Sequence, residues 1–322
     1  MAEGTLNRLV SASALSLGVV RSIVHGTFLI GVLVTSFGAL SELPPTLLRP
    51  VGMMKLLPWE FYDRLLTPSG MAALKGAMLL SLLLSTLGYL TSLTTKTSFL
   101  LVVVYQGLVR SFGHFNHDEM LGVYYLAILA FSPSSDGFSL DRWSSSSRRV
   151  RSNFVYGYPI LLMQVLMGWV YFSSALIKLR VAGLKYLSAD NLPSLAIYHS
   201  LDNLHETHFR IAFLLPHVRV LMPYVIGVVL IWELMFPLAV FVRRLRWWIL
   251  GGGVVFHLAT LLLMNVFFPY LLAMYLVFVD WPRVGRWLRT RRARMSMAVP
   301  EDTTNGSILD SSSHRAKIVD DQ

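Results

Sequence analysis

The stretch Tyr171-Phe172-Ser173-Ser174-Ala175-Leu176-Ile177-Lys178-Leu179 closes a long apolar run on a single lysine. An ammonium that loses solvation and gains no carboxylate partner is driven toward the neutral amine, which is a general base near neutral pH. Lys178 is therefore read as a candidate catalyst without an acidic partner. On a helix Gln164, Met167, Tyr171, Ser174 and Lys178 share one face, because their spacings alternate between three and four. That polar stripe is expected to face protein or water. The competing reading is that Lys178 snorkels to the outer head groups, as lysines at span ends commonly do.

Histidines supply the other candidates. Gly113-His114-Phe115-Asn116-His117-Asp118-Glu119 interrupts two apolar pieces, and its imidazoles could orient a substrate, relay a proton or bind a metal. The plainer reading is a solvated external turn. His205 and His208 flank Glu206 at a spacing of three, not the four of the zinc-protease pattern. No metal site is assigned, and His114, His117, His205 and His208 together are its minority alternative. Arg21, His25, Glu233 and His257 lie within apolar spans and must point inward. Counted from the cytoplasmic boundary, Glu233 falls level with His25 and His257, with Arg21 about one turn lower, so it could pair with either neighbour. A structural pair is favoured over catalysis there. His257 follows the run Gly251-Gly252-Gly253, read as flexible.

The elements that must hold these groups follow from composition. In 322 residues, 54% hydrophobic and only 14% charged, with mean hydropathy +0.57, a soluble domain with an ordinary polar surface is excluded. Runs of about 20 apolar residues each cross a hydrocarbon core about 30 Å thick. Spans are read at 17–40, 71–93, 155–178, 221–242 and 247–265. Shorter apolar pieces at 97–110, 119–133 and 268–280 are tilted, re-entrant or protein-buried. The fold class is an all-α polytopic membrane helix bundle with about eight membrane segments.

Eight crossings sort Arg8, Lys96, Arg142, Arg148, Arg149, Arg151, Arg243, Arg244, Arg246 and the Arg-rich tail to one side, which the positive-inside rule makes cytoplasmic. Both termini are then cytoplasmic, the membrane is expected to be the cell membrane, and Lys178, His114, His117 and the 179–220 connection face outward. That connection is too long for a simple turn and is the expected cap over an outward cavity. Trp59, Phe61 and Tyr62, in the Pro-rich first external connection, suit the interfacial aromatic belt. The net charge of +10 sits mostly after the last span, so its partners are anionic lipid head groups and not nucleic acid. Three regions result: a cytoplasmic segment 1–14, a membrane domain 15–285, and a tail 286–322 that is basic and then disordered from about 298. With no cysteine, disulfides and thiolate metal sites are ruled out.

Four pieces taken in order resemble the membrane domain of the vitamin K-dependent gamma-carboxylase and its bacterial relatives, the horizontally transferred transmembrane (HTTM) family. They are Val20-Arg21, Asn116-His117 with the later Phe138-Ser139-Leu140-Asp141, Tyr171-Phe172 to Lys178-Leu179, and His257 in a late span. The likeness runs over about residues 15–285. It implies that Lys178 is the base that activates reduced vitamin K or another quinone, supported by His117 and His257. The candidate substrate contacts around them are His114, Asn116, Tyr171, Ser174 and Arg21. It implies a mechanism in which a hydroquinone loses a proton, oxygen adds, and the resulting alkoxide removes a glutamate side-chain proton for carboxylation. Compact family members also resemble membrane components of peptide-toxin maturation systems. Two readings stay open: a carboxylase-like enzyme acting on a quinone, another lipid-soluble molecule or a peptide, and a non-enzymatic component of peptide maturation, export or transport. The partner subunit is undetermined.

Overall fold

The computed structural model describes residues 10–113, 117–144, 151–202 and 209–297, and among these every regular element is helical. Ten helices carry the description: α1 Ala14–Val34, α2 Pro68–Leu87, α3 Thr91–Ser111, α4 His117–Ala130, α5 Asn153–Ala182, α6 Asn191–Asp202, α7 Met222–Met235, α8 Arg243–Met264, α9 Pro269–Met274 and α10 Trp281–Met297. Six stretches are long and apolar enough to cross a membrane: α1, α2, α3, Asn153–Leu187, Ile211–Met235 and α8. Glu119–Ala130 and Pro269–Phe278 are shorter. The expected eight segments therefore become six long helices and two short ones. The piece expected at 97–110 is a full-length helix, since Thr91, Thr94, Thr95 and Ser98 continue it inward as buried polar residues that hydropathy alone discounts.

The chain specifies its helix ends locally. Ser13 accepts from the Ser16 amide at the start of α1, and Thr67 accepts from Gly70 ahead of Pro68 at the start of α2. Side-chain oxygens of this kind pair amides that have no partner inside the helix. Asp141 caps α3 from a distance in sequence, accepting from the amides of Leu90 and Thr91 at 2.8 and 2.7 Å. Asn265 ends α8 in the left-handed region at φ 56°.

α1 is the central element. Leu17, Val20, Val24 and Phe28 recur at three and four and are buried against α2, α4, α5 and α9. The opposite surface of the bundle is apolar too: Ile30, Leu80, Leu100 and Val228 are each at least 60% exposed, as lipid-facing residues must be. In lipid such faces gain nothing from mutual burial, so close packing and polar ties fix the helices.

Those ties cluster at the two ends. At one end Ala12 bonds to Asn153, and Gly88 turns α2 into α3 at φ 72°. At the other, Lys75 caps the last turn of α1 through Leu33 and Thr35, and Arg49 bonds to Ser111. Tyr62, expected at the interface with Trp59, is instead buried and donates to the Met54 carbonyl. Burial pushes its phenol above the ordinary range. The 179–220 connection folds as Gly183–Leu187, α6 and Ile211–Leu221, pinned where Asn265 donates to Ser200 and Phe209.

A second unit begins at Pro282; among its described residues the arginines of the basic stretch lie on α10, and Arg291 stacks over Trp287. The disorder expected from about 298 concerns residues outside those described.

Candidate functional site

Lys178 does not stand alone. Its Nζ donates to both oxygens of Glu233 on α7, at 2.5 and 2.7 Å. This corrects two expectations at once: the lysine has an acidic partner, and Glu233 pairs with it and not with Arg21, His25 or His257. The Glu233 side chain is 3% exposed and that of Lys178 25%, so the amine is the approachable half of the pair. Ser174, one turn below Lys178, lies against the same carboxylate, and the ring of Tyr186 sits 5.9 Å from Nζ.

The depth count failed because the helix ends are not flush. Gly168 packs on Pro237, so closely that an added Cβ would sit 3.2 Å from the Pro237 Cα, and Gly168 is 15 residues from the start of α5, roughly 22 Å along the axis. The α7–α8 hairpin is therefore displaced toward the Lys178 end, which lifts Glu233 into reach. Arg246 is half-buried at that hairpin. It donates to the Ala239 and Val240 carbonyls.

Two turns below Lys178, the Tyr171 hydroxyl lies 2.6 Å from His257 Nε2 and 2.6 Å from the Tyr275 hydroxyl. Phe236 stacks on Tyr171 at 4.1 Å, and Trp232 meets its edge. The Gln164-Met167-Tyr171 part of the stripe is buried in protein, as its helical spacing requires. His257 thus joins α5 through Tyr171, and its Nδ1 is buried without a partner among the described residues. Gly253 faces the Tyr275 hydroxyl so closely that a Cβ would collide with it. The glycine run lies inside a continuous α8, where at Gly253 it serves close approach and not flexibility.

Arg21 is fully buried near the other end of the bundle. It donates to the Ser134 and Phe138 carbonyls at 3.0 and 2.6 Å and to the Ser22 hydroxyl, and His25 bonds back to the Arg21 carbonyl at 2.9 Å. Val20-Arg21 and the Phe138–Asp141 piece, far apart in sequence, therefore build one structural joint. His114, Asn116, His205 and His208 lie outside the described residues; so does the His117 side chain, although His117 begins α4. No metal-binding group of three occurs among the described residues, and the four-histidine alternative concerns residues beyond them.

Tyr275 and Tyr186 were not singled out from sequence. Hydropathy counts tyrosine as a span or interface residue, and only the fold brings their rings to the stripe.

The family model described as the HTTM domain matches residues 11–281. The chain belongs to that family: it is an integral membrane protein related to the gamma-carboxylase membrane domain. No curated protein and no solved structure matches it.

Proposed function

We propose that the protein is a carboxylase-like membrane enzyme in which Lys178 and Glu233 together take a proton from an acidic hydroxyl of a lipid-soluble substrate, a hydroquinone being the best chemical fit. The observation that carries this reading is the bidentate pair of 2.5 and 2.7 Å, with its nitrogen accessible and its carboxylate sheltered. A lone neutral amine is not required. As the substrate O–H meets Nζ, a proton passes from substrate oxygen to nitrogen while one N–H proton passes to Glu233. The ammonium stays beside the substrate oxyanion, and the sheltered carboxylic acid holds the proton.

Tyr171 positions the next layer. Its hydroxyl joins His257 and Tyr275 two turns below the pair, and Glu233 lies within its electrostatic reach. On the positive-inside rule this end of the bundle is read as the outer face of the cell membrane, with both termini cytoplasmic. Lipids are the surrounding partners, and His117 begins α4.

A second reading is favoured by the same bidentate geometry. A pair that ties α5 to α7 can serve a non-enzymatic component of peptide maturation or transport, whose cavity holds a peptide or lipid without chemistry. The separating experiment extracts and identifies quinones and lipids from purified wild type and Lys178→Ala protein, and measures oxygen uptake with an isoprenoid naphthohydroquinone. The enzymatic reading expects bound quinone and an uptake about 100-fold lower in folded Lys178→Ala and Glu233→Gln variants. Equal uptake in all three, no greater than in empty detergent, would leave the non-enzymatic reading.

A further inference from the structure

The opposite end of the bundle holds a polar cavity of about 390 Å³ that the quinol reading does not use. Its walls are the first turns of α3 (Thr91, Thr95, Lys96), the loop after α4 (Ser134, Asp136) and Arg151 just before α5. Its volume lies in the range of ligand pockets, and its chemistry is one-sided. Lys96 is exposed and has no ionic partner among the described residues. Asp136 is already engaged: it accepts from Arg151 Nε at 3.0 Å and from the Tyr156 hydroxyl at 2.9 Å. The terminal nitrogens of Arg151 have no partner among the described residues.

Two hydroxyls turn a basic cleft into a built one. Thr91 and Ser134 both line it, each only 1% exposed, and Thr91 Oγ1 and Ser134 Oγ are buried without a hydrogen-bond partner among the described residues. Buried hydroxyls are ordinarily satisfied. Beneath the loop, the fully buried Arg21 donates to the Ser134 carbonyl, which fixes the loop and adds positive charge behind it. Two cations, unpaired hydroxyl donors and a neutralised acid are the set that recognises a phosphate group.

We propose that this cavity is a phosphate-binding site, filled by the phosphate of a lipid head group or of a soluble phosphate. Its basic end of the bundle would present it at the cytoplasmic interface, where both sources are at hand.

The test uses the full chain in maltoside detergent, with inorganic phosphate and with phosphatidic acid in mixed micelles as probes. Binding is read by native mass spectrometry and by the shift in thermal unfolding. Saturable one-to-one binding is expected, weakened about tenfold in Lys96→Gln and about fivefold in Thr91→Val, the loss of a charged and of a neutral hydrogen-bond donor. Lys185→Gln, which removes a positive charge from Gly183–Leu187 at the Lys178 end of the bundle, should change it less than about twofold. Without probe, Lys96→Gln and Thr91→Val should unfold where wild type does, because neither group has a protein partner among the described residues. Binding of phosphatidic acid alone identifies the head group as the source, and equal binding of inorganic phosphate identifies a soluble one. Failure of both probes to bind, or equal weakening in Lys96→Gln and Lys185→Gln, overturns the proposal.

Discussion

Removing Lys178 and removing the whole ion pair are different experiments. Lys178→Met leaves the Glu233 carboxylate 3% exposed with its cation gone, and an unpaired buried charge of this kind costs about 3 kcal/mol. The double variant Lys178→Met with Glu233→Leu should recover most of that loss, and thermal unfolding in detergent checks both. At Tyr171 the expected effect is smaller. Tyr171→Phe deprives His257 Nε2 and the Tyr275 hydroxyl of a shared partner, and should cost about 1–3 kcal/mol by the same measurement. The shared face of Gln164, Met167 and Tyr171 was legible from helical spacing, and the inward position of His257 from its place in an apolar span. The acid was not legible as the lysine's partner, because Lys178 and Glu233 are 55 residues apart and only the displaced hairpin at Pro237 brings them level.

Single glycines set the spacing between elements. Gly253→Ala would drive a methyl group into the Tyr275 hydroxyl, so α8 must move from the Tyr275–Phe278 turn or Tyr275 must leave Tyr171. A loss of about 1–3 kcal/mol is expected, and the thermal midpoint should fall further than for Gly251→Ala, where the added methyl meets nothing within 4 Å. The spans themselves were readable as apolar runs, with ends in error by several residues. α1 stops at Val34 and not at 40, since the first turn of the external connection is as apolar as the helix it follows. α3 was truncated in the reading for the opposite reason, its first turns being rich in threonine and serine. The role of Asp141 as the distant cap of α3 had no local signal, because its partners are backbone amides brought near only by folding.

The whole molecule is polarised. One end carries Lys96, Arg142 and Arg151 around the Arg21 joint and the phosphate cavity; the other carries the Lys178–Glu233 pair under the connection that contains α6. Because the chain has no native cysteine, single cysteines report sidedness cleanly. Ser188→Cys should react with a membrane-impermeant maleimide in intact cells, and Ser144→Cys only after permeabilisation, as the positive-inside arrangement requires. The measurement closest to the central claim is anaerobic absorption spectroscopy of the naphthohydroquinone bound to purified protein. The account predicts a hydroquinone-anion band with wild type at neutral pH that is lost in folded Glu233→Gln. The same band at undiminished intensity in Glu233→Gln, or none with wild type despite bound hydroquinone, would contradict a proton-accepting Lys178–Glu233 pair.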